Sequence, residues 1–573
     1  MDDDDNRSVG ESKRLVRVRT DVGLSLSEKV ANHFHRLTWR TPLYAFRLRG
    51  RHPLKLLAVP VNAVIGSASS GAAIIEGNFC LRGEMTSTGD ESFVSPSASR
   101  AMIDHAHSFD WLADLAAAAP REQNAPIAEA LVRKWIARHG GKVSEPAWRA
   151  DLWAKRIFNW AAYAPLILAN NDLVYRSSVL NAMARGSRHL DQSADRAPPG
   201  LPHLTAWIGV VTAGLLIAGG KPRQIFGEAG LIKAIASDLG RDGGIICRTP
   251  QAQAQVISLL TNLRSTYLAR QLEVPDFLSE AVTRAVPSLL SVRLGDGGLS
   301  SWQGSAPLPA ATVEAIISAS GVRTRALRQP REWGYHRLQA DQTTIIMDAA
   351  PPPTGRVTGG GCASTLGFEL SDGEHRLIVN CGGANAGGAY LPSGLADGLR
   401  TTAAHSTLIV ADSNSTAIHG DGMLGKGVNE VEVNRQENET NSRIEASHDG
   451  YVARFGVIHR RTIILSSDGK DVRGDDVLLP AGKMRKRPAH PFALRFHLGP
   501  TIEATATADA MGALLRIDGG ALWQFRCRGG ALSLDESVWI DGEGRPNSST
   551  QIVVSGEVPP GGATIGWVLK RAG

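Results

Sequence analysis

Apolar positions along this chain change their spacing near residue 325. Before that point they recur every three to four residues, the period of a helix with one face against a core. In "APIAEALVRKWIARHGG" (125–141), Ile127, Leu131, Trp135 and Ile136 share a face and a glycine pair ends the run. "AWRADLWAKRIFNWAAYAPLILA" (147–169) repeats it with Trp148, Trp153, Ile157 and Trp160. Further helices are predicted at about 174–190, 203–218, 225–239, 251–270, 275–291 and 309–320, joined by turn-rich pieces such as "ADRAPPGLP". Successive antiparallel helical hairpins need a shared core, which an α-solenoid or an α/α toroid supplies.

After residue 325 short apolar runs alternate with Gly, Asp, Asn and Ser: "HRLIVNC", "HSTLIVAD", "RTIILSS", "FALRFHLG", "ALLRIDG", "ALWQFRC" and "TIGWVLK". Many close strands without long helices between them predict a large antiparallel sandwich. The expected plan is an N-terminal extension (1–100), an α/α-toroid helical domain (101–325) and an antiparallel β-sandwich (326–573). In the extension, "FRLRGRHPLKLLAVP" reads as pairing strands and "ANHFHRLTWRTPLYAF" as a helix. The apolar stretch Leu54–Ile75 is interrupted by Pro60, Asn62 and several Ser and Gly, and is read as buried or connecting structure, not as a membrane span.

At 573 residues the chain is too long for one core. A net charge of +6, spread along the sequence, suits an acidic ligand without demanding one. No zinc-finger spacing, RNP-like motif or compact basic helix points to nucleic acid. The five cysteines form no CxxC pair, which argues against a disulfide framework or a cysteine zinc site. The first twenty residues lack an apolar segment, so the direct reading is cytoplasmic.

Histidines cluster in the strand-rich half, where His336, His375, His405, His419, His448, His459, His490 and His497 lie; between 140 and 330 there are only His189 and His203. A proton carrier near neutral pH is therefore more easily supplied from the sheets. His405 begins the run "HSTLIVAD": it either does chemistry in a cleft or merely starts a strand. Asp412, seven positions on, points to the opposite face of an extended strand. "ASHDGYVARFGVIHRR" groups His448, Asp449 and Tyr451 at a turn, where a metal site with a third ligand from His405 or Asp412 competes with a plain solvated turn. Tyr335 stands with His336 and Arg337 where the sheet region begins. Apolar neighbours flank His497. In "DGGIICRTPQAQAQ", Thr249 and Pro250 are expected to open a helix bearing Gln251, with Arg248 at its N-terminus placed to hold a carboxylate. "TGGGCAS" lacks the Lys-Ser/Thr of a P-loop, and no GxSxG or HExxH is present.

Taken in order, "DGGIICRTPQA", "MDAAPPP", "HRLIVNCGG", "AHSTLIVAD", "ASHDGYVARFGVIHRR" and "FALRFHLGP" resemble the heparinase II/III family over about residues 105–570. The resemblance implies an α/α toroid followed by an antiparallel β-sandwich. It also implies lyase chemistry on an acidic polysaccharide or oligosaccharide containing uronic acid. A polar group neutralises the sugar carboxylate, a Tyr or His removes the C5 proton, and a Tyr returns a proton to the leaving O4. On that basis His405 is the catalytic histidine, as neutraliser or base, and Tyr335 or Tyr451 the proton donor. Arg248, Gln251, Trp302 and His497 are substrate-binding candidates. No cofactor is required, while His448 and Asp412 are candidates for a structural divalent metal, Zn or Ca. The family's better-known members work in the periplasm.

Three positions depart from the family pattern: Ile245, Cys362 and Gly499 stand where relatives carry histidines. No tyrosine lies near "GDGGLSSWQGS", only Trp302. A catalytically degenerate glycan-binding protein is therefore the competing reading. A hydrolase using paired carboxylates in the toroid ranks third, because no Asp/Glu pair in the helical half stands out from solvated charge.

Overall fold

Helices fill the chain from residue 42 to 320 and strands take over at 335, so the change in apolar spacing marks a change of architecture. The computed structural model describes residues 12–17, 39, 41–50, 55–355, 357, 360–386, 389–482 and 488–572. Most of "ANHFHRLTWR", residues 51–54 and Thr358 and Gly359 of "TGGGCAS" lie outside them. In order, the helices are α1 (Pro42–Arg47), α2 (Ala68–Ile75), α3 (Arg100–Ser108), α4 (Trp111–Ala118), α5 (Arg121–His139), α6 (Ala150–Ala162) and α7 (Ala164–Ile167). They continue as α8 (Leu173–Ser193), α9 (Leu201–Leu216), α10 (Lys221–Asp238), α11 (Pro250–Ala269), α12 (Asp276–Ser291) and α13 (Ala310–Ser320).

Helix α9 packs against α6, α8, α10 and α11. Its sequence, "LPHLTAWIGVVTAGLL", is apolar on all sides and buried from Leu204 to Leu216, as a helix covered all round must be. Trp148, Trp153, Ile157 and Trp160 are all fully buried, as their spacing predicts. An unforeseen cation lies among these aromatic rings: the Arg156 guanidinium is 3.9 Å from the Trp135 ring centre and 4.4 Å from that of Trp153. Its Nε donates to the His107 carbonyl at 2.9 Å. Close helix contacts require missing side chains, and a Cβ at Gly186 would sit 2.2 Å from Trp153.

The strands form two antiparallel sheets with a shared core. One runs in the order β1 (Ser12–Arg17), β9 (Glu430–Glu437), β10 (Asn441–His448), β11 (Val457–Ser466), β12 (Asp471–Pro480), β19 (Ala563–Arg571), β16 (Leu522–Arg528), β15 (Gly512–Ile517), β14 (Ile502–Ala506). The other runs β17 (Ala531–Ile540), β18 (Pro546–Val558), β13 (His490–Leu498), β7 (His375–Val379), β6 (Phe368–Asp372), β5 (Thr343–Asp348), β4 (Tyr335–Ala340), with β8 (Leu408–Val410) also on β13. The expected order, α/α toroid then antiparallel β-sandwich, is the order observed. Residues 12–17, within the expected N-terminal extension, add an edge strand to the sandwich, with Leu15 opposite Glu432. Strands β2 (Asn78–Leu81) and β3 (Glu84–Ser87) make a separate hairpin. Residues 68–75 form α2, and no helix among the described residues is long and apolar enough to cross a membrane.

Candidate functional site

The loop after α10 carries Arg248 into the sandwich. Arg248 has φ 57°, a conformation costly for a side-chain-bearing residue, and its guanidinium is held at every edge. Nε donates to the Trp333 carbonyl at 2.7 Å, Nη1 to the Pro351 carbonyl at 2.8 Å, and Nη2 to Asp348 Oδ1 at 2.5 Å. Burial pulls against its charge, and the Asp348 carboxylate more than offsets this. Tyr335 is fully buried and donates to the Arg248 carbonyl at 2.5 Å. Trp302, equally buried, donates to Ser300 Oγ at 2.7 Å and packs 5.3 Å from the Tyr335 ring. None of these three can meet a sugar: Arg248 is a clamp between toroid and sandwich, Tyr335 supports it, and Trp302 is core. Pro250 opens α11 as expected, but Thr249 supplies no capping bond; its hydroxyl turns back to the Cys247 carbonyl at 3.3 Å.

His405 follows a 3-10 turn (Thr402–Ala404) and leads into β8. Its Nδ1 donates to the Thr401 carbonyl at 2.8 Å, which makes Nε2 an acceptor, and that lone pair has no hydrogen-bond partner among the described residues. Burial holds its pKa down at about 4. Both ring nitrogens of His497, by contrast, are used: Nδ1 accepts from Ser537 Oγ at 2.7 Å and Nε2 donates to the Ala403 carbonyl at 2.9 Å. Tyr451 is fully buried and donates to the Leu408 carbonyl at 2.9 Å, so neither it nor Tyr335 is placed as a proton donor.

The "ASHDGYVARFGVIHRR" stretch builds core. His448 Nδ1 accepts from the Gly450 N–H at 3.1 Å, and its Nε2 lies 3.3 Å from His459 Nδ1. His459 Nε2 donates to Asp476 Oδ1 at 2.7 Å, and Arg461 Nε donates to the same oxygen at 2.8 Å. Asp412 is exposed on the turn beyond β8. His448 thus has no nitrogen left for a metal shared with Asp412, and no three His, Cys, Asp or Glu among the described residues are grouped to hold one.

Gln251 leads elsewhere, into a cavity of about 310 Å³ inside the toroid, walled by α4, α6, α9, α11 and α13 and roofed in part by residues 62–66. Its polar floor escaped the sequence reading. Lys155 Nζ lies 3.0 Å from Asp110 Oδ2, and Asn159 Nδ2 donates to Asp110 Oδ1 at 2.9 Å. Asp114 Oδ1 accepts the Ser67 N–H at 2.7 Å, and its Oδ2 stands 4.0 Å from His105 Nε2. Burial pushes the Asp114 carboxyl up to about 6. Burial also disfavours the Lys155 charge, but Asp110 beside it more than compensates. The signal was present: Asp110 and Asp114, and Lys155 and Asn159, recur four residues apart in otherwise apolar segments.

Residues 322–568 match the model of the family "Heparinase II/III-like, C-terminal". The whole chain resembles the crystal structure of heparinase III, with a TM-score of 0.69 at 14% identity over 97% of this chain and 93% of that one. It also resembles heparan sulfate lyase HepC from Pedobacter heparinus, with a TM-score of 0.59 at 13% identity over 97% and 92%. At those identities the likeness is one of fold. Among curated proteins, FtsZ-localized protein C of Caulobacter vibrioides is 28% identical over 568 residues, covering 96% of each chain.

Within this heparinase fold the three departures have become structural. Ile245 is fully buried, and its N–H donates to Gln253 Oε1 at 2.8 Å. Cys362 is buried, with its N–H on Gln303 Oε1 at 2.9 Å. A Cβ at Gly499 would lie 2.0 Å from the Arg376 carbonyl oxygen, so the local backbone leaves no room for a side chain there.

Proposed function

We propose that this chain is a heparinase-fold protein that works by binding rather than by β-elimination, and that it does so in cell division. One observation carries the first part: the side chains a lyase would need at the junction of toroid and sandwich are turned inward. β-Elimination asks for a carboxylate neutraliser, a base and a proton donor that all reach the sugar. Arg248, Tyr335, Tyr451 and His497 are each committed to partners inside the protein. Of the histidine, tyrosine and arginine candidates drawn from the sequence at this junction, His405 is the one that keeps a nitrogen without a partner among the described residues, and one group does not supply three functions. The second part is supported by the end-to-end relationship to a protein named for its localisation with FtsZ.

The test has two arms. Purified protein is mixed with a panel of uronate-containing polysaccharides and oligosaccharides while absorbance is followed at the unsaturated-uronate band; flat traces are expected. A rise abolished by His405→Ala would overturn the binding reading and make His405 the working residue of a lyase. In the second arm, a fluorescent fusion is expected to gather at midcell with FtsZ and to disperse when FtsZ is depleted; a uniform signal refutes the division role.

A further inference from the structure

The toroid cavity lies apart from the toroid–sandwich junction: every residue that lines it comes from the helical half or from the 62–66 segment in front of it. Its size limits the occupant. About 310 Å³ is room for on the order of ten waters at ~30 Å³ each, enough for one sugar ring with its substituents.

Its charge selects the occupant further. Lys155 is the one Lys or Arg among the lining residues, and it is already paired with Asp110 at 3.0 Å. Asp114 has no such partner: one oxygen takes the Ser67 N–H, and the other faces His105 Nε2 at 4.0 Å, beyond a hydrogen bond. His105 Nε2 is itself buried without a hydrogen-bond partner among the described residues. An unmatched carboxylate and an unmatched ring nitrogen therefore stand side by side in one cavity, a costly arrangement unless something bridges them. An ammonium group fits both, since it carries three donors and a positive charge. An acidic sugar fits neither, because it would bring a second anion up to Asp114 in a low-dielectric site.

The remaining polar wall suits hydroxyls. Gln251 and Gln255, one turn apart on α11, make no side-chain hydrogen bond among the described residues, and each amide can both donate and accept. Apolar Ile65, Phe158, Ile208 and Ile316 supply the surface for a ring face. The 62–66 segment is tied down at both ends: the Ala63 N–H donates to Asn262 Oδ1 at 2.8 Å, and Ser67 to Asp114. Asp114 is thus both the proposed amine partner and an anchor of the segment in front of the cavity.

We propose that this cavity is a binding site for a small polyhydroxylated amine of the hexosamine class, with Asp114 and His105 receiving the ammonium group and Gln251 and Gln255 the hydroxyls. The proposal is independent of whether the junction has lyase activity. It is tested by isothermal titration calorimetry of the full chain at pH 7.5 with glucosamine, glucose and glucuronate. Saturable binding of glucosamine is expected, at least tenfold weaker binding of glucose, and no heat of binding from glucuronate. Asp114→Asn is expected to weaken glucosamine binding tenfold or more. Gln251→Leu, at a half-buried position outside the anchor, should weaken it several-fold while leaving the thermal unfolding midpoint unchanged. No glucosamine binding, equal binding of glucose and glucosamine, a preference for glucuronate, or full affinity in Gln251→Leu would each overturn the assignment. These probes contain no bond that β-elimination could break, so a lyase signal on polysaccharides would refute the binding reading of the junction and leave this result standing.

Discussion

Asp476→Asn should be among the most damaging single substitutions in the sandwich, although it changes one atom. The carboxylate is fully buried and accepts four bonds: from Arg461 Nε at 2.8 Å and Nη2 at 3.2 Å, from His459 Nε2 at 2.7 Å and from Trp567 Nε1 at 2.9 Å. All four are donors, so an asparagine amide must set its own NH₂ against at least one of them. The larger loss is charge, because Arg461 is buried and would keep its cation without a counter-ion. Breaking a buried pair from one side costs about 3–5 kcal/mol. That is a large share of the roughly 5–15 kcal/mol by which folded domains are stable. For a unit the size of this sandwich it corresponds to a fall of roughly 6–20 °C in Tm, at about 2–4 °C per kcal/mol. Differential scanning calorimetry of the full chain measures it. The paired change Arg461→Met with Asp476→Leu should recover part of the loss but not all, because Arg461 Nη1 also donates to the carbonyls of Leu366 at 2.6 Å and Ser406 at 2.7 Å. A shift under 2 °C for Asp476→Asn would refute the claim that this carboxylate neutralises a buried cation.

Arg248→Met should leave each half folded yet loosen their junction, lowering the unfolding midpoint by an amount consistent with about 3–5 kcal/mol and raising protease cleavage near 321–334; unchanged proteolysis would refute the clamp. Gly186→Ala should destabilise by about 1–3 kcal/mol despite alanine's better helix propensity, because its Cβ would meet Trp153; a stabilised protein in urea melts would refute this. Stability should fall as pH drops below about 6.5. Burial lowers His107 to about 2, His336 and His497 to about 3, and His139 and His405 to about 4, so below 6.5 the unfolded chain takes up protons that the folded one refuses. Asp114 at about 6 and Glu369 at about 7 act with the opposite sign, gaining stability as they protonate, but they are outnumbered; urea midpoints at pH 7.5 and 5.5 that agree would refute the balance.

How much of this was legible in the sequence depended on whether the signal was periodic. Helices α8 to α13 and strands such as β13 and β19 follow apolar spacing directly, because one face of each is pressed into a core. Helix α5 begins at Arg121, four residues before the run that showed its apolar face, and Pro126 lies inside it. Strand β1 was missed because a short basic edge strand exposes both faces: Arg14 and Leu15 are exposed, so no alternation records the pairing. The candidate site was harder. A histidine or tyrosine in a sequence carries no mark of which partner takes its polar atom, and His497, Tyr451 and His448 all proved satisfied inside the sandwich. Asp110 and Asp114 were passed over for the converse reason: carboxylates in a helical region look solvated until the neighbouring helices are placed.

The two polar regions have therefore developed in opposite directions on one fold. At the junction, Arg248, Asp348, Ser364 and Gln303 form a continuous chain, with Ser364 Oγ donating to Asp348 Oδ2 at 2.8 Å and Gln303 Nε2 to Ser364 Oγ at 2.9 Å. A network in which each member is satisfied is stable and specific, and these four side chains are engaged with one another. The toroid cavity gathers, among the described residues, a carboxylate without a counter-ion, a histidine nitrogen without a partner and two amides without a side-chain bond around an open volume. Unsatisfied groups lower stability, and where several converge on one open volume a ligand that supplies the missing bonds recovers that cost. On that reasoning, binding by this protein is to be sought first inside the toroid, and the sandwich is the rigid body that holds the toroid in shape.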